Sequence, residues 1–413
     1  MSGDVLVLVD RAEGNSTEGA GDALDPPPFV GRPGVTARME EILRSGEEET
    51  PFLLVDLDIV RDRFERLTRA LPDVAIHYAV KANPAPEVLT LLNDLGSSFD
   101  VASPGEIVRC LGVGVDPSRL SYGSTIKKQR DIAWAYERGV RLFAIDSEAE
   151  LRKVGEAAPG STVFCRIACD GSGADWPLSR KFGCDPELAL ELLLDAHRMG
   201  LQVGLSFHVG SQQRDPDAWD RALATVADIH AVLRAHEIEP AVVNLGGGFP
   251  ANYIEQVPDI ATYGAAINGS LQRRLGDRRP GRVMIEPGRY LVADAGVVQA
   301  EVVLVARKAH DDTNRWVYLD VGLFGGLAEV LDEAIRYRIC TPHDGGLVGP
   351  VVIAGPSCDS ADVLYERSGY RLPLALTDGD RVDLLSTGAY TSTYSSVWFN
   401  GFPPLRTRYL PAR

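Results

Sequence analysis

The chain lacks the features that mark membrane-spanning, secreted or nucleic-acid-binding proteins. No stretch approaches the roughly 18 uninterrupted apolar residues of a membrane span. The basic-then-apolar pattern of a secretory signal is missing, because Val5 to Val9 is short and acidic, Gly- and Ser-rich sequence follows it. Positive charge is scarce: 42 Lys and Arg face 58 Asp and Glu, a net charge of -16. That balance argues against nucleic acid and anionic membrane as partners and is compatible with a cationic substrate. Cysteines are few. The six (Cys110, Cys165, Cys169, Cys184, Cys340 and Cys358) in 413 residues do not resemble a disulfide framework. Cys165, Cys169 and Cys184 could be imagined around a metal. However, Cys165 and Cys169 flank a predicted strand and no second close pair exists, so core or loop thiols and no metal are expected. A reducing cytoplasm is the expected location.

What is present is ordinary globular sequence, 45% hydrophobic and 24% charged. The length suits one large domain of about 250 residues and a smaller one. Residues 11–35, rich in Gly, Pro, Asp and Glu, close a predicted mobile lead-in over 1–35. Pro51 to Asp58 is strand-like, and Asp58 is expected to cap a helix from Ile59 to Ala70. From Ala75 strand-like runs recur near 75–80, 98–102, 119–122, 141–145, 162–168, 202–208, 241–245 and 282–286. Amphipathic segments lie near 86–95, 104–111, 127–138, 148–157, 186–199, 216–236 and 259–275. Ser103-Pro104 predicts an N-cap with proline in the first turn, and Ser147 with Glu150 a capping box. Eight strands alternating with helices predict an α/β fold, a (β/α)8 barrel over 50–295, with an open doubly wound sheet as the alternative. Past Gly296 the runs 297–306, 315–321, 349–354 and 381–385 are β-branched and separated by Gly, Pro and Asp turns. They predict a mainly antiparallel β domain over 296–413, joined by 36–49. The run from Pro51 to Leu57 fits either the sheet or the barrel wall.

A strand that runs into Lys81 and breaks at Ala82-Asn83-Pro84 puts an amine at a barrel rim. Alone, such a lysine is more often merely solvated. Barrels do their chemistry at the carboxyl ends of their strands, and Lys81, Asp100, Arg166, His208, Gly246 to Gly248 and Glu286 all fall at such ends. Gly246-Gly247-Gly248 offers backbone N–H groups to an anion, although a simple tight turn is an equal reading. Arg289, across Pro287-Gly288 from Glu286, offers a fork suited to phosphate or to a rim salt bridge. An amine, a phosphate cradle, a histidine platform and a carboxylate together describe pyridoxal 5'-phosphate.

With these residues the chain resembles the alanine-racemase-fold pyridoxal phosphate decarboxylases, which include ornithine, lysine, arginine and diaminopimelate decarboxylases. The likeness rests on collinear motifs between about residues 50 and 405. They are Tyr78-Ala79-Val80-Lys81-Ala82-Asn83, Phe99 to Glu106, Ser206 to Ser211, Gly246 to Pro250, Glu286 to Arg289, Gly355-Pro356-Ser357-Cys358-Asp359 and Gly388-Ala389-Tyr390. The resemblance implies Lys81 as the Schiff-base lysine, Glu286 as partner of the ring nitrogen and His208 as the stacking residue. Ser211, Gly246, Gly247, Gly248, Gly288, Arg289 and Tyr390 would form the phosphate site, with Asp100 and Arg166 beside the cofactor.

The resemblance further implies a homodimer with shared active sites. Cys358 of one protomer would protonate the carbanion carbon formed in its partner's site, and Asp359 would contact the substrate's distal amine. The ornithine/lysine branch fits best, through Ser206-Phe207-His208, Trp176 to Gly183 and Thr387 to Thr391. One departure is Asp332-Glu333, where ornithine decarboxylases often carry Tyr-Asp; the longer acid would alter which side chain fits. The expected activity is decarboxylation of a basic L-amino acid, of ornithine or lysine type, to a diamine of polyamine biosynthesis. Alternatives are a diaminopimelate, arginine or carrier-bound amino-acid decarboxylase, a racemase and a non-catalytic regulatory relative.

Overall fold

The computed structural model describes Arg32, residues 34–177 and residues 181–413. The lead-in expected over 1–35 lies outside the described residues except for Arg32, Gly34 and Val35. Arg32 already pairs with Glu40 and with the buried Asp383. Among the described residues no helix is long and apolar enough to cross a membrane.

Eight parallel strands close into a barrel: Ala75–Ala79, Ser98–Val101, Leu120–Tyr122, Leu142–Ile145, Thr162–Ile167, Gln202–Phe207, Val242–Asn244 and Arg282–Ile285. All eight coincide with the strand-like runs of the sequence. The last pairs with the first through Met284 and Ala75, which excludes the open sheet. The barrel is filled rather than hollow. Leu142, Ala144, Phe164, Val242 and Met284 form a separate buried cluster inside it. A Cβ on Gly204 would lie 2.3 Å from Val242 Cγ1, so the missing side chain there makes room for that cluster. The surrounding helices bury one apolar face each, as Val88, Leu89, Leu91 and Leu92 do in Pro86–Asp94.

The helix starts follow their caps. Ser103 accepts from Glu106 N, and Glu106 reaches back to accept from Ala102 N at 2.7 Å. Ser147 caps Glu148–Ala157, but the second half of its box is not made. The Glu150 carboxylate turns inward to Lys127 and Lys153. The helix expected to start at Ile59 starts at Leu57, and its cap is Asp56 rather than Asp58. The Asp56 carboxylate accepts from Asp58 N and is held by Thr36 and Arg38, which fixes the cap two residues earlier. Cys165 and Cys184 bring their sulfurs 3.5 Å apart.

The second layer is a nine-stranded, mainly antiparallel sheet. Its spine is the strand Gly296–Ala306, which pairs antiparallel with Arg315–Leu319 and with Arg381–Leu385. The segment the sequence left undecided, Phe52–Asp56, joins this sheet, antiparallel to Gly296–Gln299 and parallel to Arg406–Leu410. The helix Ala37–Ser45 packs Met39 and Leu43 on the same apolar patch as Phe52, Leu54 and Val297.

Sheet and barrel meet beside the first strand. Asn83 Nδ2 donates to Gly388 O, Tyr390 N donates to Ala82 O, and Gly388 N donates to Ala293 O. A Cβ on Gly388 would lie 2.0 Å from Val292 O, so only glycine permits this approach.

Candidate active site

Alternation along each strand decides what enters the barrel mouth. Residues two apart point the same way, so Asp100, Arg166, Ser206 and Asn244 share the inward side of their strands with the interior cluster below. Register sets them side by side: Ala79 pairs with Asp100, Arg166 with Ser206, and Ser206 with Asn244. Lys81 follows on a short 3-10 turn, Val80–Ala82, beyond the first strand, and Glu286 follows the eighth.

Lys81 Nζ lies 3.4 Å from Asp100 Oδ2, with about half of the lysine side chain (48%) open to the mouth. Burial opposes its charge, but Asp100, then Tyr390 and Glu286, outweigh it and hold the ammonium's pKa above the ordinary lysine value. Asp100 itself is buried. A Cβ on Gly123 would lie 2.0 Å from Asp100 Oδ1, so that glycine makes room for the carboxylate. Burial, followed by repulsion from Asp100, pushes the Glu286 carboxyl up to about 7 despite the pull of Lys81, Asn244 and Arg166. Asn244 donates to Glu286 Oε1 and accepts from Gly246 N, so it orients both the acid and the glycine turn. Sequence reasoning missed Asn244, although it is two residues before the glycine triplet and has inward parity.

His208 accepts from Gly210 N through Nδ1 at 3.1 Å. Burial, then Arg166 and Lys81, holds its pKa well below the histidine value, so the ring is neutral. The glycine triplet is a cradle that side chains would fill. A Cβ on Gly246 would lie 2.1 Å from Phe207 O. One on Gly247 would lie 2.6 Å from Glu286 O and 3.0 Å from His208 Nε2, and one on Gly248 2.5 Å from Gly210 O. Gly246 and Gly248 also have φ of 67° and 106°. From behind, Trp219 Nε1 donates to Leu245 O and its ring packs on Phe249 and Tyr263.

Arg289 is 3% exposed and lies 5.0 Å from the ring centre of Tyr390, which adopts φ 53°. A Cβ on Gly288 would lie 3.1 Å from Tyr390 Oη, so this glycine too leaves room at the mouth. The Arg289 fork already carries a salt bridge, one of the two readings that the sequence offered, although it is buried rather than at the rim. Nη1 and Nη2 each donate to Glu329 at 2.6 Å and Nη1 also donates to Tyr253 Oη, while Nε and Nη2 donate to Ser211 Oγ at 3.3 and 3.0 Å. Neither Glu329 nor Tyr253 belongs to a motif noted in the sequence.

Two predicted residues, Cys358 and Asp359, lie apart from this group, and two more, Asp332 and Glu333, line a neighbouring cavity. Cys358 is exposed and its N–H donates to Asn400; Asp359 accepts from Ala361 N. Among the described residues no hydrogen bond ties either to Lys81, Asp100, His208 or Glu286. Glu333 accepts from Glu366 N and Arg367 N at 2.8 and 2.6 Å, whereas the Asp332 side chain is 96% exposed. Both have φ near 55°, which bulky residues adopt rarely, and both line a cavity of about 430 Å³ whose wall includes Tyr253.

Asp100 Oδ1, Ser121 Oγ and Ser206 Oγ are buried at the mouth without partners among the described residues. Unpaired polar atoms around a lysine, beside an anion cradle that Cβ atoms would obstruct, fit a polar cofactor carrying a phosphate. A barrel with this mouth, beside an antiparallel sheet, is the frame of a cofactor-dependent enzyme. Comparison with known proteins narrows the class. The pyridoxal-binding domain of the pyridoxal-dependent decarboxylases matches residues 57–293. A lysine/ornithine decarboxylase of Selenomonas ruminantium is 36% identical over 355 residues, covering 86% of this chain and 88% of the relative. A lysine/ornithine decarboxylase of Vibrio vulnificus, solved with cadaverine, superposes with TM-score 0.81 at 33% identity, covering 91% of this chain and 99% of that one. The arginine decarboxylase of Paramecium bursaria Chlorella virus superposes with TM-score 0.82 at 29% identity, covering 91% and 100%. The chain belongs to the pyridoxal-dependent decarboxylases and is a pyridoxal phosphate enzyme.

Two outcomes test this geometry. Gly247→Ala should weaken coenzyme binding about tenfold, because His208 and the Glu286 carbonyl must move aside; a titration with unchanged affinity would refute the close approach. The raised Glu286 pKa means that its protonated form stabilises the cofactor-free fold. That stability is complete below about pH 4.5 and lost as pH rises through about 7. Cofactor-free Glu286→Gln should therefore lose less melting temperature than wild type between those two values, and parallel profiles would contradict the burial argument.

Proposed function

We propose that the enzyme decarboxylates a basic L-amino acid, of ornithine or lysine type, to the corresponding diamine, within a homodimer whose subunits complete each other's sites. The observation that carries the reading is the convergence of Lys81, Asp100, His208 and Glu286 on one barrel mouth beside the glycine cradle. Pyridoxal phosphate, when bound, supplies an electron sink for the pair released as carbon dioxide leaves. Lys81 holds the coenzyme through Nζ, with Asp100 keeping that nitrogen in place. Glu286, oriented by Asn244, holds a proton at the ring nitrogen. Neutral His208 stacks on the ring without adding charge to it, and Arg166 supplies a balancing cation. Ser211, Gly246 to Gly248, Gly288, Tyr390 and the Nε–Nη2 edge of Arg289 hold the phosphate.

Cys358 of the partner subunit delivers a proton to Cα, and Asp359 beside it attracts the distal amine. Its exposure on its own chain supports this role. So does the apolar surface that adjoins it through Asn400, where Val397, Trp398 and Phe402 are 73%, 64% and 41% exposed. Acids around the distal pocket favour a cationic substrate end. With Glu333 engaged by backbone N–H groups, Asp332, whose partner is the exposed Arg367 at 3.6 Å, is the acid more open to it. The diamine bound by the Vibrio vulnificus relative supports the same substrate class, and the viral neighbour keeps arginine as the second reading. Such an activity belongs to polyamine biosynthesis in the cytoplasm.

Lys81→Ala should abolish amine production and covalent retention of the coenzyme after borohydride reduction; normal turnover would reject the assignment. Mixing inactive Lys81→Ala and Cys358→Ala chains should restore roughly a quarter of wild-type activity, since half of randomly mixed dimers carry one intact site. No restoration, with mixed dimers demonstrated, would reject sharing. Ornithine and lysine should give more amine than arginine or diaminopimelate under the same conditions, and a reversed order would move the substrate assignment.

A further inference from the structure

Glu329 comes from the sheet layer, on the 3-10 segment Ala328–Glu333, yet its carboxylate is buried against an arginine of the barrel mouth. A guanidinium has two edges that can form paired hydrogen bonds. Glu329 takes the Nη1–Nη2 edge of Arg289 with two bonds of 2.6 Å. The Nε–Nη2 edge faces Ser211, whose hydroxyl accepts from both nitrogens. Tyr253 Oη takes a further Nη1 hydrogen, so rotation of the guanidinium would break bonds on two sides. A buried arginine without a counter-ion is strongly destabilising, whereas a carboxylate beside an anion subsite opposes the anion.

We propose that Glu329 is the positioning counter-ion of Arg289. It turns the Nε–Nη2 edge toward the cofactor phosphate and stabilises the cofactor-free site, and its charge lowers the site's affinity for phosphate. The inference rests on pyridoxal phosphate binding at this mouth, with Ser211 and Arg289 as phosphate ligands. It adds that the coenzyme binds less tightly than the arginine alone would allow.

The test uses the full-length dimer stripped of coenzyme and titrated with pyridoxal phosphate and, separately, with inorganic phosphate. Glu329→Gln keeps the shape and removes the charge. Its cofactor-free melting temperature should fall, its dissociation constants for both ligands should drop about tenfold, and its melting temperature should rise more on coenzyme binding than that of wild type. A merely structural role would lower the melting temperature without tightening either ligand. Equal or weaker binding by Glu329→Gln therefore overturns the proposal. Should that variant not fold, Arg289→Gln and the double variant Arg289→Gln/Glu329→Gln are compared with inorganic phosphate. Tighter binding by the double variant upholds the proposal and equal binding overturns it. Failure of the wild type to bind pyridoxal phosphate would instead refute the cofactor site itself.

Discussion

The in-and-out alternation of a closed parallel barrel is the constraint on which the remaining structure depends. Apolar Leu142, Phe164, Val242 and Met284 fill the interior. Two residues beyond Phe164 and Val242 the same parity delivers Arg166 and Asn244 to the mouth, and strand register sets Ser206 between them and Asp100 beside Ala79. The packed layer below is the rigid floor on which these polar groups are held, and it keeps water from reaching them from beneath. Charges in that setting interact strongly, which is why Asp100 and Glu286 raise the pKa of Lys81 and why Lys81 and Arg166 both pull against the burial of the two acids. The mouth carries two basic and two acidic groups around a neutral histidine. Each isolated charge would be costly there, and together they are tolerable.

The sheet layer acts as the second half of the site rather than as an appendage. Its loop 387–391 is bonded to the turn that carries Lys81, which places Tyr390 over Arg289. Its short helical segment supplies Glu329. The barrel arginine is therefore held by groups that come from more than 30 residues away on either side, Ser211 and Tyr253 before it and Glu329 after it. Such a joint ties the packing of the two layers to the setting of Arg289.

Much of this architecture was legible because its signals are local. β-branched runs and amphipathic stretches of ordinary length located the barrel strands and most helices, and Ser103 capped its helix as its sequence context required. Lys81, Asp100, His208 and Glu286 could be found because strand ends in a barrel share one face. Illegible features depended on competition between partners. Asp56 outcompeted Asp58 for the helix cap because Thr36 and Arg38 fold back onto it. Glu150 left its capping box for Lys127, which is buried and needs an anion. Asn244 could have been found by strand parity, whereas Glu329 sits in Ala328–Glu333, whose left-handed Asp332 and Glu333 no local pattern announces.

By itself, the order of residues along the chain determined the strand and helix sequence, the parity of each barrel strand and the identity of the groups at the strand ends. These follow from backbone sterics and hydrophobic periodicity, which act over a few residues. Tertiary structure alone decided the closure of the barrel, the sheet membership of Phe52–Asp56 and the pairing of Arg289 with Glu329. The first two depend on backbone pairing between segments far apart in sequence, and in the third a desolvated charge takes the counter-ion that the packed layers bring to it.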